Sequence, residues 1–406
     1  MKNLAEVLAL LVFFLIPLTG SSANLGYEET KVLLFIILTS ILGLVWLYLL
    51  DNKKLQIKKS QITLISTGFI IVLALTSLTG IDPMRSFLGR SPYLQGWVLY
   101  LFLFLYFLII SSLQIPLKKW VSVISFSAAL VSLSAILQAS QLYLLHQSIP
   151  NYAGRVVSTF GQPNLYAGFL MITLPFVLLS KYRKIILSIS IIAILVSYSR
   201  TAILLLGLLL GWQLVSKLKL RKVIIASSTL VILVASVFAF KNTTGLISSE
   251  VTYPQTIEWL IFNSPEKRVL IWPIFGELIG GKPLLGYGLE NIPPAFDNFF
   301  DQVNFNRVTN PAYYSLRDLK IDRSHNLFLD LLMFSGILGL ISWLILFVVS
   351  WKVIKNKTLK TVLGILFIWL LFQPPGIVQL LYFWTILGLV NQEYIDKGRD
   401  SMKILK

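Results

Sequence analysis

The sequence predicts an all-α polytopic membrane protein of about twelve transmembrane helices with one large extracytoplasmic loop. Three observations predict it. Hydrophobic residues make up 56% of the chain and charged residues only 13%, with a mean hydropathy of +0.78, outside the range of a soluble domain. Apolar runs of about 20 residues, the length needed to cross ~30 Å of hydrocarbon, recur along almost the whole chain. The basic residues gather in alternate connections, as Lys and Arg do in cytoplasmic loops.

The runs fall at 5–20, 31–50, 61–80, 94–113, 119–145, 163–180, 184–198, 201–216, 222–240, 326–350, 359–373 and 375–391. Lys2, the basic pairs at 53–54, 58–59 and 118–119, the clusters at 181–184, 217–222 and 352–360, and the tail after Asn391 hold 22 of the 35 Lys and Arg residues. That side faces the cytoplasm, and the remaining connections face outward. The net charge of +17 is therefore mostly a topology signal and does not point to nucleic acid. Met1-Lys2-Asn3 before an apolar run resembles a signal peptide. A retained first helix is the preferred reading, and cleavage would leave the later topology unchanged. With no cysteine, disulfides, thiol catalysis and Cys metal sites are excluded. The expected organisation is one integrated membrane domain: helices over 1–240, the outer loop over 241–324, and three further helices with a cytoplasmic tail over 325–406.

Glu28 and Glu29 stand just before the second run, where the helix dipole favours acidic residues. The next outer connection places Arg85 and Arg90 between Gly and Pro turns, suited either to phosphate or to lipid headgroups. In the third, Arg155 precedes Ser158-Thr159-Phe160-Gly161-Gln162-Pro163-Asn164. Pro163 suits the first turn of a helix, which puts Gln162 and Asn164 at its outer mouth. His146, one of only two histidines, reads as an interfacial residue, with a site role as the less favoured alternative.

Between Lys184 and Lys217 both ends are basic, so the chain must cross and return within 34 residues. Each limb then has about 15 residues, roughly 22 Å at 1.5 Å per residue, less than the hydrocarbon thickness. The turn Ser197-Tyr198-Ser199-Arg200-Thr201 should place Arg200 below the outer surface, facing protein or a wet cavity. A snorkelling arginine is the plainer alternative, but it does not account for the depth of the turn.

The outer loop carries Lys or Arg at eight positions and Asp or Glu at nine, so it is not a trap for polyanions. Val269, Trp272, Phe275 and Ile279 have helical spacing, which predicts a short surface helix opening near Arg268. Gly286 and Gly288 follow, permitting close backbone approach. No Lys-Ser/Thr follows them, so this is not a phosphate loop. Trp259, Trp272, Tyr287, Phe296, Phe299, Tyr313 and Tyr314 are suited to stack on sugar rings or to form a small core of the loop, the latter being the reading for most of them.

The loop ends in Asp322-Arg323-Ser324-His325-Asn326 and runs into a helix in which Gly336 and Gly339 allow close packing. His325 can take a proton near neutral pH, with Asp322, Asp330 or a backbone carbonyl to orient its ring. A helix cap is the plainer alternative, for which Ser324 or Asn326 suits better than histidine. The final hairpin turns at Gln373-Pro374-Pro375-Gly376, and Gln379 and Trp384 lie in the last run without a legible partner. Taken together, arginines and one titratable histidine on the outer side suit a lipid-linked anionic substrate. Arginine forks bind phosphate oxygens and histidine can deprotonate an attacking hydroxyl.

Ser197 to Thr201, Arg268 with Trp272, Pro283-Leu284-Leu285-Gly286-Tyr287-Gly288, and Ser324-His325-Asn326 with Gly336-Ile337-Leu338-Gly339-Leu340 together resemble the O-antigen ligase/polymerase superfamily, which includes protein O-oligosaccharyltransferases. Ser158 to Ala167 is similar to that family's segment entering the sixth span, and the resemblance is best over about 155–340. It implies a GT-C-related membrane glycosyltransferase in the cytoplasmic (inner) membrane. The implied donor is a glycan on undecaprenyl pyrophosphate, transferred at the outer face to a sugar or protein hydroxyl without cofactor or metal, with inversion. By position, Arg200 and Arg268 would hold the pyrophosphate and His325 would act on the acceptor hydroxyl. Arg155 and Arg323 would make donor or acceptor contacts. Polymerase, ligase and protein transferase share these motifs. From another class, a lipid-linked sugar transporter or flippase fits the helices and the arginines but has no need of an 84-residue outer loop ending in Arg-Ser-His-Asn.

Overall fold

The computed structural model describes residues 1–57, 59–215, 268–302 and 321–404. Within them the chain is helical throughout, and no β-strand forms. The helices are α1 (Lys2–Leu18), α2 (Tyr27–Asp51), α3 (Gln61–Leu78), the short α4 (Pro83–Leu88), α5 (Trp97–Leu113) and α6 (Leu117–Ala139), the last extended by a π turn over Ser140–Leu144. Then come α7 (Pro163–Val177), α8 (Arg183–Val196), α9 (Arg200–Val215), α10 (Arg268–Gly281), α11 (Ile292–Gln302), α12 (Leu327–Val353), α13 (Lys357–Leu370) and α14 (Ile377–Ile404).

Every apolar run of the sequence is occupied by a helix except 222–240, which lies outside the described residues. Among the described residues, α2, α3, α6 with its π turn, and α12 are long and apolar enough to cross a membrane. That is fewer than the twelve runs because helices such as α8 and α13, at 14 residues each, fall short of the ~20 residues of a full crossing. The protein is thus a multi-pass membrane protein, all-helical among the described residues. Of the expected outer loop over 241–324, the structure describes 268–302 and 321–324, where α10 and α11 form.

Local chemistry sets the helix ends. Ser60 accepts a hydrogen bond from Thr63 N at 3.0 Å to start α3, and Asp82 accepts from Arg85 N at 3.0 Å to start α4 behind Pro83. These are ordinary N-caps. Packing then brings α3 against α12, α5 against α14 and α6 against α8. Trp384 of α14, which had no legible partner, is buried against the rings of Phe69, Phe104 and Phe107.

A helix forms where the spacing predicts one, as α10, with its apolar face rotated from the expected one. Ile271, Ile274, Phe275 and Leu278 are buried, while Trp272 is 40% exposed. Phe275 meets Phe296 of α11 with ring centroids 5.0 Å apart, and Phe299 meets Phe300 at 5.5 Å. Of the seven aromatics named in the loop, Phe296 and Phe299 join a small core with Phe275 and Phe300, while Trp259, Tyr313 and Tyr314 lie outside the described residues.

One break in a long helix matters for everything at this end of the bundle. Helix α12 is interrupted at Gly336, whose backbone sits at φ 60°, ψ −162°. The freed backbone groups are taken up by the segment after α10. Tyr287 N and Gly288 N donate to the carbonyls of Met333 and Phe334 at 2.7 and 3.0 Å, and Ile337 N donates to Pro283 O at 2.8 Å. Irregular backbone within an apolar bundle is tolerated when protein satisfies it in this way. The approach needs glycine on both sides, since a Cβ on Gly286 would lie 2.6 Å from Met333 O and one on Gly336 would collide with Leu284 O. Gly336→Ala is expected to destabilise the protein by at least ~1–3 kcal/mol, the cost of a side chain in a glycine-only region. A melting curve in detergent that matches the parent would contradict this.

Candidate active site

The stretch that presents His325 is tied down on every side. Arg323 is 2% exposed and forms an ion pair with Glu290. It also donates to Gln95 Oε1 at 3.4 Å and to Asp322 O at 2.8 Å. Its guanidinium lies over the ring of Tyr93 at 4.8 Å and against Phe334 at 5.1 Å. Burial works against its charge, but Glu290, Asp322 and Asp330 outweigh burial and raise its pKa above the ordinary arginine value. Named from the sequence as a donor or acceptor contact, Arg323 has its guanidinium enclosed by Glu290, Gln95 and Tyr93. A sequence shows only that an arginine precedes the histidine, whereas the partner that turns it inward stands 33 residues away.

Ser324 comes next. Its N and Oγ both donate to Asp330 Oδ1 at 2.7 Å, and its carbonyl accepts from Trp272 Nε1 at 3.0 Å. Asp330, one of the groups expected to orient the histidine ring, thus gives an oxygen to the residue before it. Asn326 caps α12, accepting from Phe328 N at 2.9 Å and Leu329 N at 3.3 Å, so the helix cap is asparagine and not histidine. Between them His325 is half-buried, with φ +58°. A non-glycine residue held in the left-handed region costs ~1–3 kcal/mol and persists only where its surroundings impose it. Here the surroundings are the hydrogen bonds that hold Arg323, Ser324 and Asn326 on either side of it.

A second corner forms at the turn between α8 and α9. Tyr198 has φ +50°, Ser199 N donates to Ser197 Oγ at 3.0 Å, and Arg200 is the first residue of α9 and is exposed. Arg155 braces this turn, its Nε donating to Ser197 O at 3.1 Å and a terminal nitrogen to Asn164 Oδ1 at 3.2 Å. Of the sequence candidates, Arg155 therefore supports the turn that carries Arg200. Arg268 opens α10, and its side chain lies outside the described residues. Trp272, one turn further along the same helix, is the residue that bonds to Ser324. The other histidine, His146, is exposed after the π turn.

Several further residues make contacts that their sequence readings did not include. Glu28, read as a dipole-favoured residue, is 6% exposed and accepts from Ile377 N at 2.7 Å, so it caps α14, at the far end of the chain. Its neighbour Glu29 does cap its own helix, accepting from Gly26 N at 2.7 Å. Arg85, suited by sequence to phosphate or headgroups, donates to Glu290 O at 2.7 Å and so fastens α4 to the ion-pair segment. Arg90 is exposed. Tyr287 and Phe299 line an open recess of about 370 Å³ with Glu277, Lys282 and Asn298, and the ammonium of Lys282 lies 5.3 Å from the Tyr287 ring centre. The only signal for any of these partners is chemical type, since each pairs with a residue far away in the chain.

What the arrangement offers is an arginine at an exposed helix start and a histidine at an over-determined loop, both at one end of a helical bundle. Residues 185–344, which contain Arg200, Arg268, Arg323 and His325, match the family model described as O-Antigen ligase. The chain is also 28% identical over 375 residues to the ComP-specific O-oligosaccharyltransferase of Acinetobacter baylyi, a comparison that covers 85% of this chain and 62% of the relative. The chain thus spans less than two thirds of that relative's length. Both comparisons support the O-antigen ligase superfamily as the one to which this chain is related, and the family match includes the segment that carries the histidine.

Proposed function

We propose that this protein is a membrane glycosyltransferase of the O-antigen ligase type, moving a glycan from undecaprenyl pyrophosphate to an acceptor hydroxyl at the outer face of the cytoplasmic membrane. The observation that supports it most is the loop at His325, where surrounding hydrogen bonds impose a left-handed backbone on a titratable residue. In this reading His325 accepts the proton of the acceptor hydroxyl as its oxygen attacks the anomeric carbon. The bond from that carbon to the pyrophosphate oxygen breaks, the configuration inverts, and undecaprenyl pyrophosphate leaves as an anion. Arg200 and Arg268 carry that charge, since a leaving phosphate needs stabilisation more than covalent help. Arg155 keeps the Arg200 turn in place, and no metal takes part.

The name of the Acinetobacter relative favours a protein hydroxyl as acceptor over a sugar hydroxyl, and the same residues serve either. The rival assignment, a transporter of lipid-linked sugars, requires no change of covalent bonds. Purified protein incubated with undecaprenyl-pyrophosphate-linked oligosaccharide and with protein and carbohydrate acceptors, followed by mass spectrometry, separates them. Transfer with release of undecaprenyl pyrophosphate, undiminished by a chelator, is the expected result, whereas intact donor with every acceptor overturns the proposal. Arg200→Ala is expected to lower turnover by ~10²–10³-fold, the scale for removing one stabilising donor from a reacting charge. A variant within twofold of the parent would remove Arg200 from the assignment.

A further inference from the structure

The hairpin turn between α13 and α14 had no legible role in the sequence, yet it touches both corners of the site. Leu371 O accepts from Asn326 Nδ2 at 3.3 Å, directly beside His325. Pro375 O accepts from Gln95 Nε2 at 2.7 Å, and Gln95 in turn meets Arg323. On the other side, the side chain of Gln373 is 4% exposed. It accepts from Asn164 Nδ2 and donates to Thr201 Oγ1, both at 3.2 Å. Thr201 is the residue after Arg200.

The polarity of this relay follows from its origin. A guanidinium only donates, so Arg155 fixes Asn164 with its oxygen toward the arginine and its nitrogen toward Gln373. Gln373 must then present its own oxygen to Asn164, which leaves its NH₂ for the Thr201 hydroxyl. Each amide then has one orientation, and the part-buried relay ties the turn to the hairpin through the buried Gln373. We propose that Gln373 is a positioning residue that registers the Arg200 turn against the His325 loop, acting through Thr201 on one side and the Leu371 backbone on the other. This rests on the glycosyltransferase reading for its effect on chemistry, but not for its geometry.

The test uses Gln373→Met, which keeps volume and removes both hydrogen bonds, together with Thr201→Val and Thr201→Ser. With undecaprenyl-pyrophosphate-linked oligosaccharide and the acceptor used by the parent, Gln373→Met and Thr201→Val should each lower kcat by ~10–100-fold, the scale of a misplacement near 1 Å. KM for the donor should change less than about threefold, because Gln373 acts on the placement of Arg200 and not on uniform binding. The double variant should be no worse than either single variant, and Thr201→Ser should recover most of the turnover. Independently, spin labels at Leu204→Cys on α9 and Leu338→Cys on α12, both exposed positions in a chain with no other cysteine, should show a broader distance distribution in Gln373→Met. Turnover at the parent level, a multiplicative double variant, or an unaltered distance distribution each overturns the positioning role. Broadening in a protein that transfers no glycan even as the parent overturns the transferase reading alone.

Discussion

His325→Ala is expected to lower glycan transfer by ~10²–10⁴-fold, the range for removing a positioned general base, while the protein still inserts and melts like the parent. The loop should survive the change because its geometry is held by other side chains. Arg323 is paired with Glu290, Ser324 is bound to Asp330, and Asn326 caps α12. Relief of the left-handed strain is not at stake either, since alanine at φ +58° is no more comfortable than histidine. The measurement is turnover with lipid-linked oligosaccharide alongside a detergent melt of the same preparation. Parent-level transfer by the alanine variant would remove His325 as the base.

Arg323→Ala should act through the fold instead. Removing one member of a buried ion pair leaves the other charge uncompensated, at a cost of ~3–5 kcal/mol, and here Glu290 is the charge left behind. The double replacement Arg323→Met with Glu290→Gln should recover much of that loss, because the uncompensated charge goes with it. Stability of the three proteins in the same detergent checks the ordering. A single Arg323→Ala as stable as the double variant would mean that Glu290 finds solvent or another partner, contrary to its 5% exposure. Any fall in transfer caused by Arg323→Ala should accompany a fall in folded protein, which distinguishes it from His325→Ala.

The helices were legible because the apolar runs repeat at a length that only one solvent requires, and Pro163 marks the first turn of α7 locally. The residues at the site were legible by chemical type, since a histidine and arginines at helix mouths in an apolar chain invite attention. What each of them does was less so. Arg323 and Arg200 look alike in sequence, yet one is enclosed by Glu290, Gln95 and Tyr93 and the other is exposed. Glu28 and Gln373 gave no signal because their partners, Ile377 and Thr201, lie 349 and 172 residues away. The rotation of α10 was missed for a related reason. Trp272 fits the apolar spacing, but its indole N–H is used on Ser324, and an amphipathic ring can lie at the edge of a core with its polar atom turned to a neighbour.

The contact between the Pro283–Gly288 segment and the break in α12 has a further consequence for how this protein can change. It is made by main-chain donors and acceptors on both sides, so the identities of Leu284, Leu285 and Tyr287 are largely invisible to it. Related proteins can therefore replace those side chains to suit different glycans or acceptors while the carbonyls of Met333 and Phe334 keep the segment in place. An alanine scan would report Leu284 and Leu285 as tolerant and would register at Tyr287 only the loss of its hydroxyl bond to Leu278 O, so the glycines alone would reveal that the stretch is a joint.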